Sequence, residues 1–288
     1  MSDYIILTDS ACDIHDDILA EWGVEYKSLS YKFNGSDKFC YEGEIPIKEF
    51  YDKMRAGGVA KTAALNTEDF TVLFEKHLSD GKDIIYIAFS SGLSNTYNAS
   101  RLATDALSEK YPDRKIITFD TLAASAGEGM LVYLALEKKK QGATLDELHE
   151  YLKSIRLNIC HFFTVDDLVY LKRGGRVSPA LAFVGGLLGI KPILHVDNDG
   201  HLISIGKVRG RRAALAALAD NYASLALDKS SGVVYISHGD CLSDAEALSK
   251  MLRDKHGVEV RIITDVGAVI GAHSGPGTLA LFFVGAHR

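Results

Sequence analysis

The N-terminal half of the chain alternates short, wholly apolar runs with stretches of helical periodicity. Tyr4-Ile5-Ile6-Leu7-Thr8 reads as a buried strand. A polar turn and a helix over 14–22 follow. Residues 24–33 read as one extended segment, and Asn34-Gly35 supplies a hairpin turn toward Phe39-Cys40-Tyr41. Pro46 suits the first turn of a helix reaching 55. Residues 57–64 read as a loop. Asn66 and Thr67 cap a helix to 78, with Glu68 and Asp69 in its favourable first turn. Residues 83–89 are the clearest buried strand. A small polar loop, Ser90 to Thr96, leads into a helix to 110, then a strand over 115–119 and a helix over 122–140 with Gly142 after its basic end. Thr144-Leu145-Asp146-Glu147 is a capping box for a helix to 156. Strands alternating with helices predict a parallel sheet with helices on both faces.

The pattern then changes. The pattern predicts a strand over 160–165, a short helix over 167–172 and a Gly174-Gly175-Arg176 turn. An apolar, glycine-containing helix over 180–188 comes next. Runs 191–196 and 202–208 flank Asp197-Asn198-Asp199-Gly200 as an antiparallel hairpin. Helices over 211–226 and 244–255 alternate with strands over 233–237, 258–263 and 278–284. The expectation is α/β: a Rossmann-like parallel-sheet domain over 1–158 and an α+β domain over 159–288.

Composition narrows the function classes. At 288 residues with 47% hydrophobic and 24% charged residues, disordered, collagenous and coiled-coil classes are excluded. The net charge of −6 speaks against a nucleic-acid partner, which calls for a basic footprint. Cys12, Cys40, Cys160 and Cys241 form no CxxC pair, so neither a metal site nor a disulfide framework is expected. The N-terminus lacks the basic and long apolar regions of a signal peptide. Residues 180–190 are too short to span a bilayer, so no stable membrane insertion is expected. A cytoplasmic location is the expectation.

The candidate chemistry lies in loops. Ser90-Ser91-Gly92-Leu93-Ser94-Asn95-Thr96 joins a strand to a helix, where an open parallel sheet binds ligands and a helix N-terminus attracts anions. The plainer reading is that Ser94 or Asn95 caps the helix. The segment is neither a G-x-S-x-G elbow nor a Walker A loop. Thr62 is by itself an ordinary loop threonine. His273-Ser274-Gly275-Pro276-Gly277-Thr278 is a rigid turn whose imidazole donates either to an anion or to backbone. Arg173 and Arg176 lie in a basic glycine turn that grips a phosphate or carboxylate, or is simply solvated. Lys207, Arg209, Arg211 and Arg212 form a second basic cluster with the same ambiguity, and Asp9-Ser10 either touches ligand or caps a helix. Phe183, Gly185 and Gly186 sit in the apolar stretch, which either packs a core or lines a lipid tunnel.

Taken in order, Thr8-Asp9-Ser10, Lys61-Thr62, Ser90 to Tyr97, Arg173-Gly174-Gly175-Arg176 and His273 to Thr278 resemble the DegV family of bacterial fatty-acid-binding proteins across essentially the whole chain. The resemblance implies two domains with a long-chain fatty acid such as palmitate between them and no other cofactor. It implies a lipid-binding acyl carrier, not an enzyme. The carboxylate would lie at the loop carrying Ser94 and Asn95, with Thr62 and His273 reaching it. It further implies, for some members, presentation of the fatty acid to the ATP-binding subunit of a fatty acid kinase that forms acyl phosphate. Asn95 stands where the family commonly has glycine, which bears on how closely backbone amides approach the carboxylate. Ala63-Ala64 replaces a more polar stretch after the threonine.

Elementary energetics agree with that implication. A buried carboxylate needs satisfied oxygens. A tail of about a dozen methylenes at roughly 0.8 kcal/mol each brings on the order of 10 kcal/mol before association costs. Two other classes compete: a hydrolase or acyltransferase with Ser94 as nucleophile and His273 as base, and a kinase of a small hydroxy compound, since the dihydroxyacetone kinases resemble this fold. The latter lacks a nucleotide loop and a metal-binding acidic cluster.

Overall fold

A computed structural model of the chain describes residues 4–177 and 189–288. Phe183, Gly185 and Gly186 lie outside the described residues. Among those described, strands β1 (Tyr4–Asp9), β2 (Glu25–Lys27), β3 (Ser30–Phe33), β4 (Cys40–Tyr41), β5 (Ala60–Ala63), β6 (Asp83–Ala88) and β7 (Ile116–Asp120) occupy the first part. They build two sheets. The larger is parallel, in the order β2-β1-β6-β7, and the smaller is antiparallel, in the order β4-β3-β5. Strands β8 (Ile159–Thr164), β9 (Ile190–Val196), β10 (Leu202–Arg209), β11 (Val234–His238), β12 (Ile262–Asp265) and β13 (Leu279–Val284) form a third sheet, β10-β9-β8-β13-β11-β12. It is antiparallel except for the β11–β12 pair. The fold is thus mixed α/β, with a parallel sheet followed by a separate mixed sheet.

The helices are α1 (Asp16–Trp22), α2 (Ile47–Arg55), α3 (Thr67–Ser79), α4 (Thr96–Lys110), α5 (Ala126–Lys140), α6 (Leu145–Ile155), α7 (Val169–Gly174), α8 (Arg211–Leu225), α9 (Leu242–His256) and α10 (Ala268–Ser274). Helices α3 and α4 cover one face of the parallel sheet, around Phe70, Phe74 and Tyr86. Helices α8 and α9 cover the outer face of the third sheet, around Leu218, Tyr222 and Leu248. Between the two sheets lies α5, whose residues Ala126 to Tyr133 are all buried. It belongs to one continuous core that joins Ile85 and Ile87 of β6 to Phe163, Tyr235 and Phe282 of the third sheet.

Several sequence expectations need correction. The stretch 57–64, read as a loop, contains β5, because Lys61 and Thr62 pair with Lys32 and Tyr31. The single extended segment 24–33 divides between two sheets. The helix expected from 122 begins at Ala126, since Leu122 (φ 49°) and Ser125 (φ 55°) adopt left-handed backbone. The strand expected over 258–263 starts only at Ile262. His273, read as part of a turn, ends α10, a helix too short to show a period in sequence.

The loop after β6 is fixed from below. The buried Asp9 carboxylate accepts from the Phe89 amide (3.2 Å), the Ala11 amide (3.0 Å) and the Tyr86 hydroxyl. Gly92 then packs on the β9–β10 hairpin: a Cβ there would lie 2.7 Å from the Asp199 carbonyl oxygen and 2.8 Å from that of Gly200. These are backbone atoms and yield poorly. Gly92→Ala should therefore lower unfolding free energy by about 1–3 kcal/mol, as overpacking does. Urea denaturation checks this, and an unchanged midpoint would show that the hairpin does not clamp the loop.

Candidate functional site

Three elements from distant parts of the chain meet in one place. Thr62 stands on β5, and its Oγ1 lies 2.9 Å from Nε2 of His273 in the last turn of α10. The other ring nitrogen of His273 faces Gly174 at the end of α7, where a Cβ would approach Nδ1 to 2.1 Å. Only glycine allows that approach. Two residues on, Arg176 donates from Nη1 to the Gly174 carbonyl (2.5 Å) and from Nε to the Leu93 carbonyl (3.3 Å). The guanidinium thus ties the histidine corner to the loop that carries Ser94.

That loop is strongly ordered. Ser90 Oγ donates to the Gly200 carbonyl (3.0 Å) and accepts from the Gly92 amide. The Ser91 amide donates to Asp120 Oδ1 (3.1 Å). Ser94 Oγ accepts from the Thr96 amide (3.2 Å) and lies 2.8 Å from Thr96 Oγ1. Ser94 therefore does serve the start of α4, as the plainer reading held, whereas the Asn95 side chain makes no capping bond there.

Thr62, Ser94, Asn95, His273 and Arg176 all line one narrow cavity of about 220 Å³. Most of the remaining wall is apolar, with Leu29, Phe89, Leu93, Phe163, Val269 and Phe282 from both larger sheets and their connections. A surface groove shares Leu93, Ser94, Asn95 and Arg176 with the cavity, so the polar corner borders the outside. Arg173 does not line the cavity; its guanidinium lies 5.9 Å from the Tyr170 ring centroid. Asp9 caps the turn after β1 and braces the Phe89 amide. Of the second basic cluster, Arg211 is paired with Asp244 at 2.9 Å.

The charges are uneven. Burial, reinforced by the Arg176 charge, pulls the His273 pKa down to about 4, so the imidazole is neutral at neutral pH. Arg176 is exposed at the residue level, and the desolvation its guanidinium does feel lowers its pKa, yet a guanidinium stays cationic. The corner therefore presents one cation, two hydroxyls, an amide side chain and a neutral imidazole. That set suits a single carboxylate or phosphate oxygen pair.

Sequence reasoning missed Ser125, Ser237 and His161, which also line the cavity. Ser125 lies at the N-terminal end of α5 in left-handed backbone, donates to Asp13 and sits 2.9 Å from Ser237 Oγ. Its Ala-Ala-Ser-Ala-Gly setting after a strand was the available signal. His161 and Ser237 are interior strand positions that sequence alone cannot assign to a cavity.

The DegV family model, described as that of an uncharacterised protein family, matches residues 4–286. A DegV domain-containing protein of Clostridium perfringens is 40% identical over 286 residues, covering 99% of this chain and 98% of the relative. The chain belongs to the DegV family. A DegV family protein of Thermus thermophilus, solved as a fatty-acid-binding protein, is 29% identical with a TM-score of 0.88, covering 99% of this chain and all of that one. A DegV lipid-binding protein of Thermotoga maritima gives 30% identity and a TM-score of 0.86, with 99% of each chain covered. The fatty-acid-binding DegV of Bacillus subtilis gives 27% and 0.83, with 99% and 100% covered.

The depressed His273 pKa has a consequence for stability. Between its ordinary value near 6.5 and about 4, the unfolded chain binds a proton that the folded one refuses. Stability contributed by the neutral ring is complete above pH 6.5 and falls as pH drops toward 4. In His273→Asn the fall over that window should be smaller than in the parent by up to about 3 kcal/mol. Denaturant titrations at stepped pH measure the difference, and parallel curves would contradict a buried neutral ring.

Proposed function

We propose that this DegV family protein binds a long-chain fatty acid in the cavity, carboxylate at the Thr62–Ser94–His273 corner and tail along the apolar wall. The observation that carries the reading is the distribution of polarity. An apolar slot ends in converging hydroxyls, Asn95 and one guanidinium. The fatty-acid-binding relatives from Thermus and Bacillus support it. Most affinity would come from tail burial, and orientation from the head group. Thr62→Val and Ser94→Ala should each weaken fatty acid binding by about 1–2 kcal/mol, because a bond to a charged group is lost, and each should also lower stability by about 1 kcal/mol, since Thr62 bonds His273 and Ser94 bonds the start of α4. Fluorescent fatty acid displacement with delipidated protein reads this. Unaltered affinity in both variants would refute the head-group assignment.

The finer role is acyl carriage. The head-group corner borders the surface groove, which favours presentation of the carboxylate to an ATP-binding kinase subunit in the cytoplasm. There the carboxylate oxygen would attack the γ-phosphorus of ATP, forming an acyl phosphate as ADP leaves. The four free cysteines agree with a reducing compartment. Arg173 lies outside the cavity wall and is the residue to reverse in sign. With the cognate kinase subunit, Arg173→Glu should reduce acyl-phosphate formation at least tenfold, as loss of an interfacial charge pair does, while leaving fatty acid affinity within about twofold. Equal loss of both would make Arg173 a structural residue.

The hydrolase alternative gains nothing from the geometry. His273 directs Nε2 to Thr62 and Nδ1 toward Gly174, and Ser94 is engaged with Thr96. A histidine held near pKa 4 is also a weak general base at neutral pH.

A further inference from the structure

The head-group corner depends on a helix too short to keep its own place. α10 supplies Val269, Ile270, His273 and Ser274 to the cavity wall. Its seven residues span about 10 Å, and a helix of that length has no stability alone. Small residues face α2: Ala268 and Ala272 join the cluster of Phe50 and Tyr51. Gly271 lies against Tyr51, where a Cβ would come within 2.5 Å of the hydroxyl oxygen.

Polar anchors fix where α10 starts. The Tyr51 hydroxyl donates to the Val266 carbonyl (2.8 Å), and Asp13 Oδ1 accepts from the Gly267 amide (2.9 Å). Glu42 Oε1 accepts from the Val269 amide at 2.7 Å. The fit is close, since a Cβ at Gly267 would lie 2.5 Å from Glu42 Oε1 and 2.7 Å from Asp13 Oδ1. Of these anchors, Glu42 is the one that comes from the three-stranded sheet. It follows β4, and its own amide donates to the carbonyl of Leu29, the residue before β3 (3.3 Å). β3 in turn pairs with β5, where Thr62 stands opposite Tyr31. A ring of contacts results: Thr62 to β3, β3 to Glu42, Glu42 to α10, and His273 back to Thr62. His273 follows Val269 by four residues, about one helical turn. A shift of α10 along or about its axis therefore breaks the 2.9 Å contact between Nε2 of His273 and Oγ1 of Thr62.

We propose that Glu42 is a positioning residue for carboxylate capture: by holding the Val269 amide it registers α10 against the three-stranded sheet, so that His273 meets Thr62. This rests on the fatty acid reading. Glu42 itself lines a different cavity, behind α10, and not the one at the head-group corner. Burial pushes its carboxyl up to about 7. The carbonyl oxygen accepts in either protonation state, so a glutamine keeps the anchor.

The test uses delipidated full-length protein, Glu42→Ala and Glu42→Gln. Two quantities are read: the midpoint of the His273 ring by NMR titration without ligand, and the affinities for hexadecanoic acid and hexadecan-1-ol. The alcohol has the same tail without the carboxylate. In Glu42→Ala the His273 midpoint should rise from about 4 toward 6.5 as the ring loses its buried setting. The acid should bind at least fivefold more weakly, as loss of a cap allows, with the alcohol within twofold of the parent. Glu42→Gln should restore both. An unmoved His273 midpoint overturns the proposal, and so does an equal loss of acid and alcohol, which would make Glu42 a general structural residue. If the parent binds neither ligand, the fatty acid reading fails and the His273 midpoint alone decides the positioning claim. Should Glu42→Ala not fold, Glu42→Asp, which withdraws the oxygen by one methylene, replaces it.

Discussion

Everything in this fold depends on how closely α5 is held between two sheets. The helix packs on β1 and β6 on one side and on β8, β11 and β13 on the other. Such a layer needs a helix without a polar face, and Ala126 to Tyr133 has none exposed. Two glycines set the spacing. A Cβ at Gly129 would meet Ile14 at 2.4 Å, and one at Gly127 would meet His161. Glycine costs a helix interior about 1 kcal/mol relative to alanine, a loss offset here by contact on both sides. Where α5 begins, the space between the sheets is no longer filled by a helix, and the cavity opens beside Ala124 and Ser125.

The same compression explains the unusual protonation of the interior. Glu128 is fully buried, and burial drives its pKa well above the ordinary range. Thr8 Oγ1 lies 2.9 Å from the Ile87 carbonyl and 3.0 Å from Glu128 Oε1. One hydroxyl has one proton, so it cannot donate to both. A protonated Glu128 resolves this by donating to Thr8, which donates to Ile87. Asp13, also raised by burial, receives the Gly267 amide and the Ser125 hydroxyl. Carboxyl groups around α5 are thus kept neutral or heavily hydrogen-bonded, and among the described residues Arg176 carries the full charge on the cavity wall.

The parts of this arrangement that could be read from sequence are those with local causes. The capping boxes of Asn66 and Thr144, the β6 strand and the Asn34-Gly35 turn are each encoded within a few residues, and each is present. The DegV resemblance was legible because its motifs are short and ordered. What escaped was set by tertiary pairing. Nothing in Gly57 to Ala64 alternates cleanly, so β5 exists only because β3 offers an edge. α10 has seven residues and two glycines flanking it, too few for a period. His161 looks like any strand residue until β13 and α5 close over it. The family resemblance placed Thr62, Ser94, Asn95 and His273 at one head group, whereas residue types and spacing alone did not, because their meeting rests on Gly174 and Arg176, a packing relation with no local signature.

These constraints separate two tasks along one cavity. The polar corner is assembled from Thr62 on a strand together with loop and helix-end residues, and it borders a surface groove. The far wall is assembled from strand residues locked by sheet register, so its chemistry cannot adjust to a ligand without shifting β8 against β13. The far wall is therefore fixed by register, whereas the polar corner draws its side chains from separate segments. Any ligand of this cavity would meet a fixed wall on the strands and a polar corner assembled from several segments. That ordering follows from which elements supply each end, and it would hold even if every polar residue at the corner were exchanged for another of similar charge.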